Sequence, residues 1–119
     1  MHRDAAGRFT LFDFDCSGYG WRAYDVAVFL WSRGWGFDRA ERASRARQWD
    51  AFLEGYHAVR RLSDAELRAV NHFVPLRHLW LLGVHARLDA DFGRRWLSDA
   101  TLDRHLAFIR DWIRFHPPA

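Results

Sequence analysis

Two carboxylates, Asp13 and Asp15, stand two residues apart at the end of the apolar run Phe9-Thr10-Leu11-Phe12-Asp13-Phe14. On a strand, side chains at i and i+2 point to the same face. Such a pair can share a hard cation like Mg²⁺, which takes oxygen ligands and keeps several waters. An acid at the end of an apolar strand is held by a stiff element and faces open space. The chemistry this suggests is metal-assisted phosphoryl transfer. Spacing alone also suits two solvated acids, or acids capping the following helix.

The framework around these acids can be read from the neighbouring residues. Residues 9–14 read as a short buried strand, and Asp4-Ala5-Ala6-Gly7-Arg8 has turn chemistry. A hairpin needs a partner strand ahead of that turn, where only Met1-His2-Arg3 stand, so half of it is expected to be missing. After the glycine-punctuated turn Gly18-Tyr19-Gly20, a short apolar helix is expected over residues 25–33, ending at Gly34-Trp35-Gly36. Asp38 is the expected N-cap of a helix reaching about His57, with Ala46, Trp49, Leu53 and Tyr56 on its apolar face. Ser63-Asp64-Ala65-Glu66 has the capping-box pattern. It opens a helix in which Pro75 must cause a kink or begin a new segment. Leu79, Leu82 and Ala86 are expected to continue one face of it to Leu88. Ser98 or Asp99 caps the last helix, on which Leu102, Leu106, Ile109 and Ile113 recur at helical spacing.

Taken with Trp21-Arg22-Ala23-Tyr24-Asp25-Val26-Ala27, the run Phe12-Asp13-Phe14-Asp15 resembles the aminoglycoside phosphotransferase family. That superfamily includes the choline kinases and a bacterial homoserine kinase, and it is related to the protein kinases. The resemblance is sharpest over residues 9–31. It implies ATP and Mg²⁺ as cofactors and a small-molecule hydroxyl as acceptor. It places Asp13 on the metal-binding aspartate, Asp15 on a second acid near the metal, and Asp25 on an aspartate that braces the catalytic loop. Two departures stand out. The family's His-x-Asp-x-x-x-x-Asn loop supplies the aspartate that orients the acceptor hydroxyl. His2-Arg3-Asp4 imitates its start, but five residues after Asp4 comes Phe9, so Asp4 reads as the tip of the hairpin. The glycine-rich, Lys-bearing nucleotide lobe is not seen either. The expected fold is therefore mainly α: residues 1–119 as a single domain, the helical C-terminal lobe of a kinase-like fold with a short N-terminal strand or partial hairpin. Alone, this chain is expected to be inactive. In the family this lobe lines the acceptor pocket, to which Arg77, His78 and Trp80 could contribute.

Composition excludes several other classes. Half of the 119 residues are apolar and seven are Trp, which rules out disorder. The longest strongly apolar runs, residues 26–31 and 79–84, fall far short of the ~20 residues of a membrane span. One cysteine, Cys16, precludes an internal disulfide, and no secretory signal opens the chain; a cytoplasmic protein is expected. All 18 basic residues are Arg, and no Lys is available for a phosphate loop. The arginines are dispersed among Asp and Glu, so a nucleic-acid face is not expected. His72, His78 and His85 lie six and seven residues apart, whereas a helical zinc pair needs i,i+4 spacing. A competing class is a helical interaction module that self-associates through apolar surface.

Overall fold

The computed structural model describes residues 2–14, 17–32, 39–88 and 97–117. Its N-terminal hairpin is built around the Asp4 turn. The Asp4 N–H donates to the Arg8 carbonyl and the Gly7 N–H to the Asp4 carbonyl, both at 3.0 Å. The Asp4 carboxylate accepts from the Arg8 backbone N–H and from Arg8 Nε, each at 2.8 Å. These bonds hold the Asp4 carboxyl below its usual range, the backbone bond contributing most. Gly7 sits at φ 81°, where the absence of a Cβ removes the steric cost. Asp4 is thus the hairpin tip, as its spacing implied.

The turn brings β1 (His2–Arg3) antiparallel to β2 (Phe9–Thr10), with His2 opposite Thr10 and Arg3 opposite Phe9. Two expectations are corrected here. Ahead of the turn, His2–Arg3 supply the partner strand that was expected to be missing. The strand expected over residues 9–14 stops at Thr10, because β1 offers two residues for pairing and Asp13, at φ 69°, leaves extended backbone. Nor is it buried: Phe9, Leu11, Phe12 and Phe14 are all exposed.

Helices account for 73% of the described residues. They are α1 (Arg22–Ser32), α2 (Arg39–Val59), α3 (Asp64–Arg87) and α4 (Asp99–Phe115). Helix α1 starts three residues earlier than expected. The expected cap Asp38 and stop Gly34-Trp35-Gly36 lie outside the described residues. The capping box of α3 is formed: Ser63 Oγ accepts from the Glu66 N–H at 3.3 Å, and Glu66 Oε2 accepts from the Ser63 N–H at 2.8 Å. Helix α3 then runs through Pro75 without a break. Ser63→Ala is expected to destabilise the chain by about 1 kcal/mol, read as a lower urea midpoint at unchanged slope.

Small and β-branched residues let α1 and α3 approach closely. Ala23, Val26 and Ala27 of α1 meet Val70 and Val74 of α3 in the buried core. Helix α4 adds Phe108 and Trp112, and the Trp112 indole N–H donates to the Asn71 carbonyl of α3 at 3.0 Å. Helix α2 leans on α1 through rings, Phe29 stacking on Phe52 at 3.9 Å. Two expected faces are displaced. On α3 the buried stripe is Val70, Val74 and His78, while Leu79 and Ala86 are exposed. On α4 it is Thr101, His105, Phe108 and Trp112, one residue ahead of the leucine–isoleucine stripe; Leu106 and Ile113 are exposed. No helix among the described residues is long and apolar enough to cross a membrane.

Candidate functional site

The loop between β2 and α1 carries Asp13. Its φ of 69° lies in the left-handed region, which Asp tolerates better than most residues but still at a cost of order 1 kcal/mol. Among the described residues Asp13 makes no hydrogen bond or ion pair, and it is exposed. Four residues on, the chain closes a turn: the Ser17 N–H and Oγ both donate to the Phe14 carbonyl, at 2.9 and 2.6 Å. Asp15 and Cys16 lie outside the described residues. The premise that two acids share one face of a strand does not hold, since the strand ends three residues before Asp13. Among the described residues no group of three or more His, Cys, Asp or Glu side chains is gathered around one point.

The start of α1, beyond the loop, is firmly held. Trp21 packs its ring 5.7 Å from Phe73, and Tyr24 meets the same ring edge-on at 5.6 Å. The Arg22 guanidinium pairs with Glu66, the acid of the α3 capping box, and also donates to the Arg61 carbonyl at 3.3 Å. The Ser63 backbone and hydroxyl, and then Arg22, keep the Glu66 carboxyl below its usual range. An open groove of about 450 Å³ runs between residues 20–23 and the Ala65, Glu66, Ala69 and Phe73 side of α3. Asp25 lies in the first turn of α1, exposed, where a negative charge suits the helix dipole.

Residues 21–27 therefore divide by role. Ala23, Val26 and Ala27 are core, Tyr24 and Trp21 pack on Phe73, and Arg22 ties α1 to α3. Among the described residues, Asp13 contributes neither to the core nor to these ties.

Farther along α3, the Arg77 guanidinium lies 4.2 Å from the Trp80 ring centroid and 5.5 Å from that of Trp31, and donates to the Tyr24 hydroxyl at 3.3 Å. Trp80 is half exposed, but His78 is wholly buried and cannot line a pocket. It bonds instead to His105, 27 residues away on α4. Sequence reading missed His105 because its partner lies on another helix and no local spacing signals it.

The motif's resemblance is matched by comparison with known proteins. The model of the phosphotransferase enzyme family matches residues 1–62, and this chain belongs to that family. It is 43% identical over 106 residues to an uncharacterised protein of Deinococcus radiodurans, covering 89% of this chain and 30% of that protein. It is 34% identical over 88 residues to an uncharacterised protein of Synechocystis sp. (strain PCC 6803), covering 73% and 22%. With the amicoumacin kinase of Bacillus subtilis (strain 168) the identity is 30% over 83 residues, covering 66% and 24%. The chain thus spans less than a third of the length of each of these relatives. No solved structure matches it.

Proposed function

We propose that this chain is the metal-carrying, acceptor-side part of an ATP-dependent small-molecule kinase of the aminoglycoside phosphotransferase type, which transfers the γ-phosphoryl group to an acceptor hydroxyl with Mg²⁺. Asp13 carries this reading. Its exposed carboxylate, in a costly backbone conformation, serves no packing or pairing among the described residues. The loop is anchored on one side by the hairpin and on the other by α1, through the Arg22–Glu66 pair and the Phe73 ring contacts. Mg²⁺ is commonly held by one or two carboxylates together with substrate phosphates rather than by an all-protein cage. A single well-placed Asp13, with Asp15 two residues on, suits that coordination. Bound there, the cation would offset charge on the phosphoryl oxygens.

The other residues of the chain orient and support. Asp25 would brace the catalytic loop of the complete enzyme. The stacked Arg77 guanidinium and the half-exposed Trp80 would face the acceptor side, with Tyr24 fixing the guanidinium plane. In this reading residues 1–119 act as one domain, in the cytoplasm and without nucleic acid. The 119 residues contain neither a Lys nor a His-x-Asp-x-x-x-x-Asn run. No phosphotransfer above background is expected when this chain is given ATP and Mg²⁺ in a coupled assay. Turnover that disappears in Asp13→Asn would overturn that expectation.

A specific observation favours a second reading, a non-catalytic helical module that associates through its surface. Phe9, Leu11, Phe12, Phe14, Tyr19 and Trp21 are all more than half exposed along one short segment. Light scattering decides: mass rising with concentration supports association, whereas a monomer at every concentration removes this reading.

A further inference from the structure

A hydrogen-bonded chain crosses the core from α1 through α3 to α4. The Trp31 indole N–H lies 3.0 Å from His78 Nδ1, and His78 Nε2 lies 2.8 Å from His105 Nδ1. An indole N–H can only donate. His78 Nδ1 must therefore accept and carry no proton, so the proton of the neutral ring is on Nε2 and is donated to His105 Nδ1. One tryptophan thereby fixes the tautomers of two histidines on two other helices. Phe108 stacks on His78 at 4.3 Å, and neither imidazole is open to water.

We propose that the Trp31–His78–His105 chain is an acid-sensitive latch, which holds α1 and α4 against α3 while His78 is neutral and releases them when it is protonated. A proton on His78 Nδ1 removes the acceptor used by Trp31 and sets two donors against each other. It also places a positive charge in the core. The groups facing the pair add to that cost. Among the described residues these are His85 of α3, two turns along from His78, and Arg104 of α4, bonded to Thr101 Oγ1 at 3.0 Å, while the Arg77 guanidinium of α3 lies 5.5 Å from the Trp31 ring. From α1 the contact is Trp31, which does not titrate.

The chemistry agrees with the geometry. Burial first, and then His105, pushes His78 down to about 4. His105 is lowered by burial, and further by His85 and Arg104. Linkage gives the sign. The unfolded chain protonates His78 near 6.5 and the folded chain near 4, so between these values the unfolded state binds more protons. The contribution of His78 to stability is constant well above pH 6.5 and falls as pH drops from there towards 4. From His78 alone, the unfolding equilibrium constant should be about 20-fold larger at pH 5 than at pH 7.

This inference does not depend on the kinase reading. Its direct test is the imidazole ¹⁵N spectrum of the 119-residue chain against pH. His78 should keep an unprotonated Nδ1 and a protonated Nε2 at pH 5. A His78 that titrates near 6.5, or that carries its proton on Nδ1, overturns the latch. His78→Gln supplies the second arm, since an amide oxygen can accept from Trp31 and its NH₂ can donate to His105 without titrating. Urea unfolding of this variant should lose the roughly 20-fold response between pH 7 and pH 5; an equal response in both chains overturns the proposal.

Discussion

His78→Ala is expected to destabilise the chain by about 4 kcal/mol at neutral pH. His78 is the largest fully buried side chain among the described residues. Its removal opens a cavity beside Phe108 and takes a partly buried hydrogen bond from Trp31 and a buried one from His105. Cavity formation alone costs about 2–5 kcal/mol for a side chain of this size, and each buried bond left unmade adds about 1–3 before the site relaxes. Helix propensity does not offset this loss, because Ala improves on His by only a few tenths of a kcal/mol. The neighbouring residue gives the control. Leu79, half exposed on the next position of the helix, should change stability by no more than about 0.5 kcal/mol when replaced by Ala. Urea unfolding of both variants reads the register of α3 directly. A Leu79→Ala cost equal to that of His78→Ala would mean that the buried face is the one expected from the leucines.

Asp13→Asn is expected to weaken Mn²⁺·ATP binding by about 10–100-fold while leaving the unfolding midpoint unchanged. Asn is the right replacement because it also tolerates the left-handed conformation at φ 69°. Ala would add backbone strain and confuse lost affinity with lost order. Asp13 is exposed and, among the described residues, unpaired, so its charge can be removed without disturbing the core. An affinity change with no stability change is the mark of a ligand, whereas a parallel loss of both would make Asp13 a structural residue of the loop.

Local chemistry was the most legible part of the sequence. The Asp4–Arg8 turn, the Ser63–Glu66 capping box and, apart from the exposed Ala46, the Ala46–Trp49–Leu53–Tyr56 face of α2 are each specified within a few turns of chain, and each formed. The motif around Asp13 and Asp25 was legible as a pattern, and the family match over residues 1–62 agrees with it. Strand length was not, because a strand extends only as far as its partner, and β1 offers two residues. The buried stripe of α4 was misplaced by one position. Leucine and isoleucine spacing pointed to Leu102 and Leu106, but the stripe His105–Phe108–Trp112 carries larger rings and two hydrogen-bonding partners on α3. Periodicity in hydropathy cannot see a histidine that becomes a core residue only by bonding to another. For the same reason His78, one of three residues that could have lined a pocket, turned out to be the centre of the core.

The role of Asp13 is tested most directly by paramagnetic broadening. Mn²⁺·ATP added in small steps to the ¹⁵N-labelled 119-residue chain should first broaden the amides of residues 11–14 and 17–20. The broadening should vanish in Asp13→Asn. Broadening that begins instead at the carboxylates of α2, such as Asp50 and Glu54, or that persists undiminished in Asp13→Asn, would contradict the assignment of this loop as the metal site of a phosphotransferase.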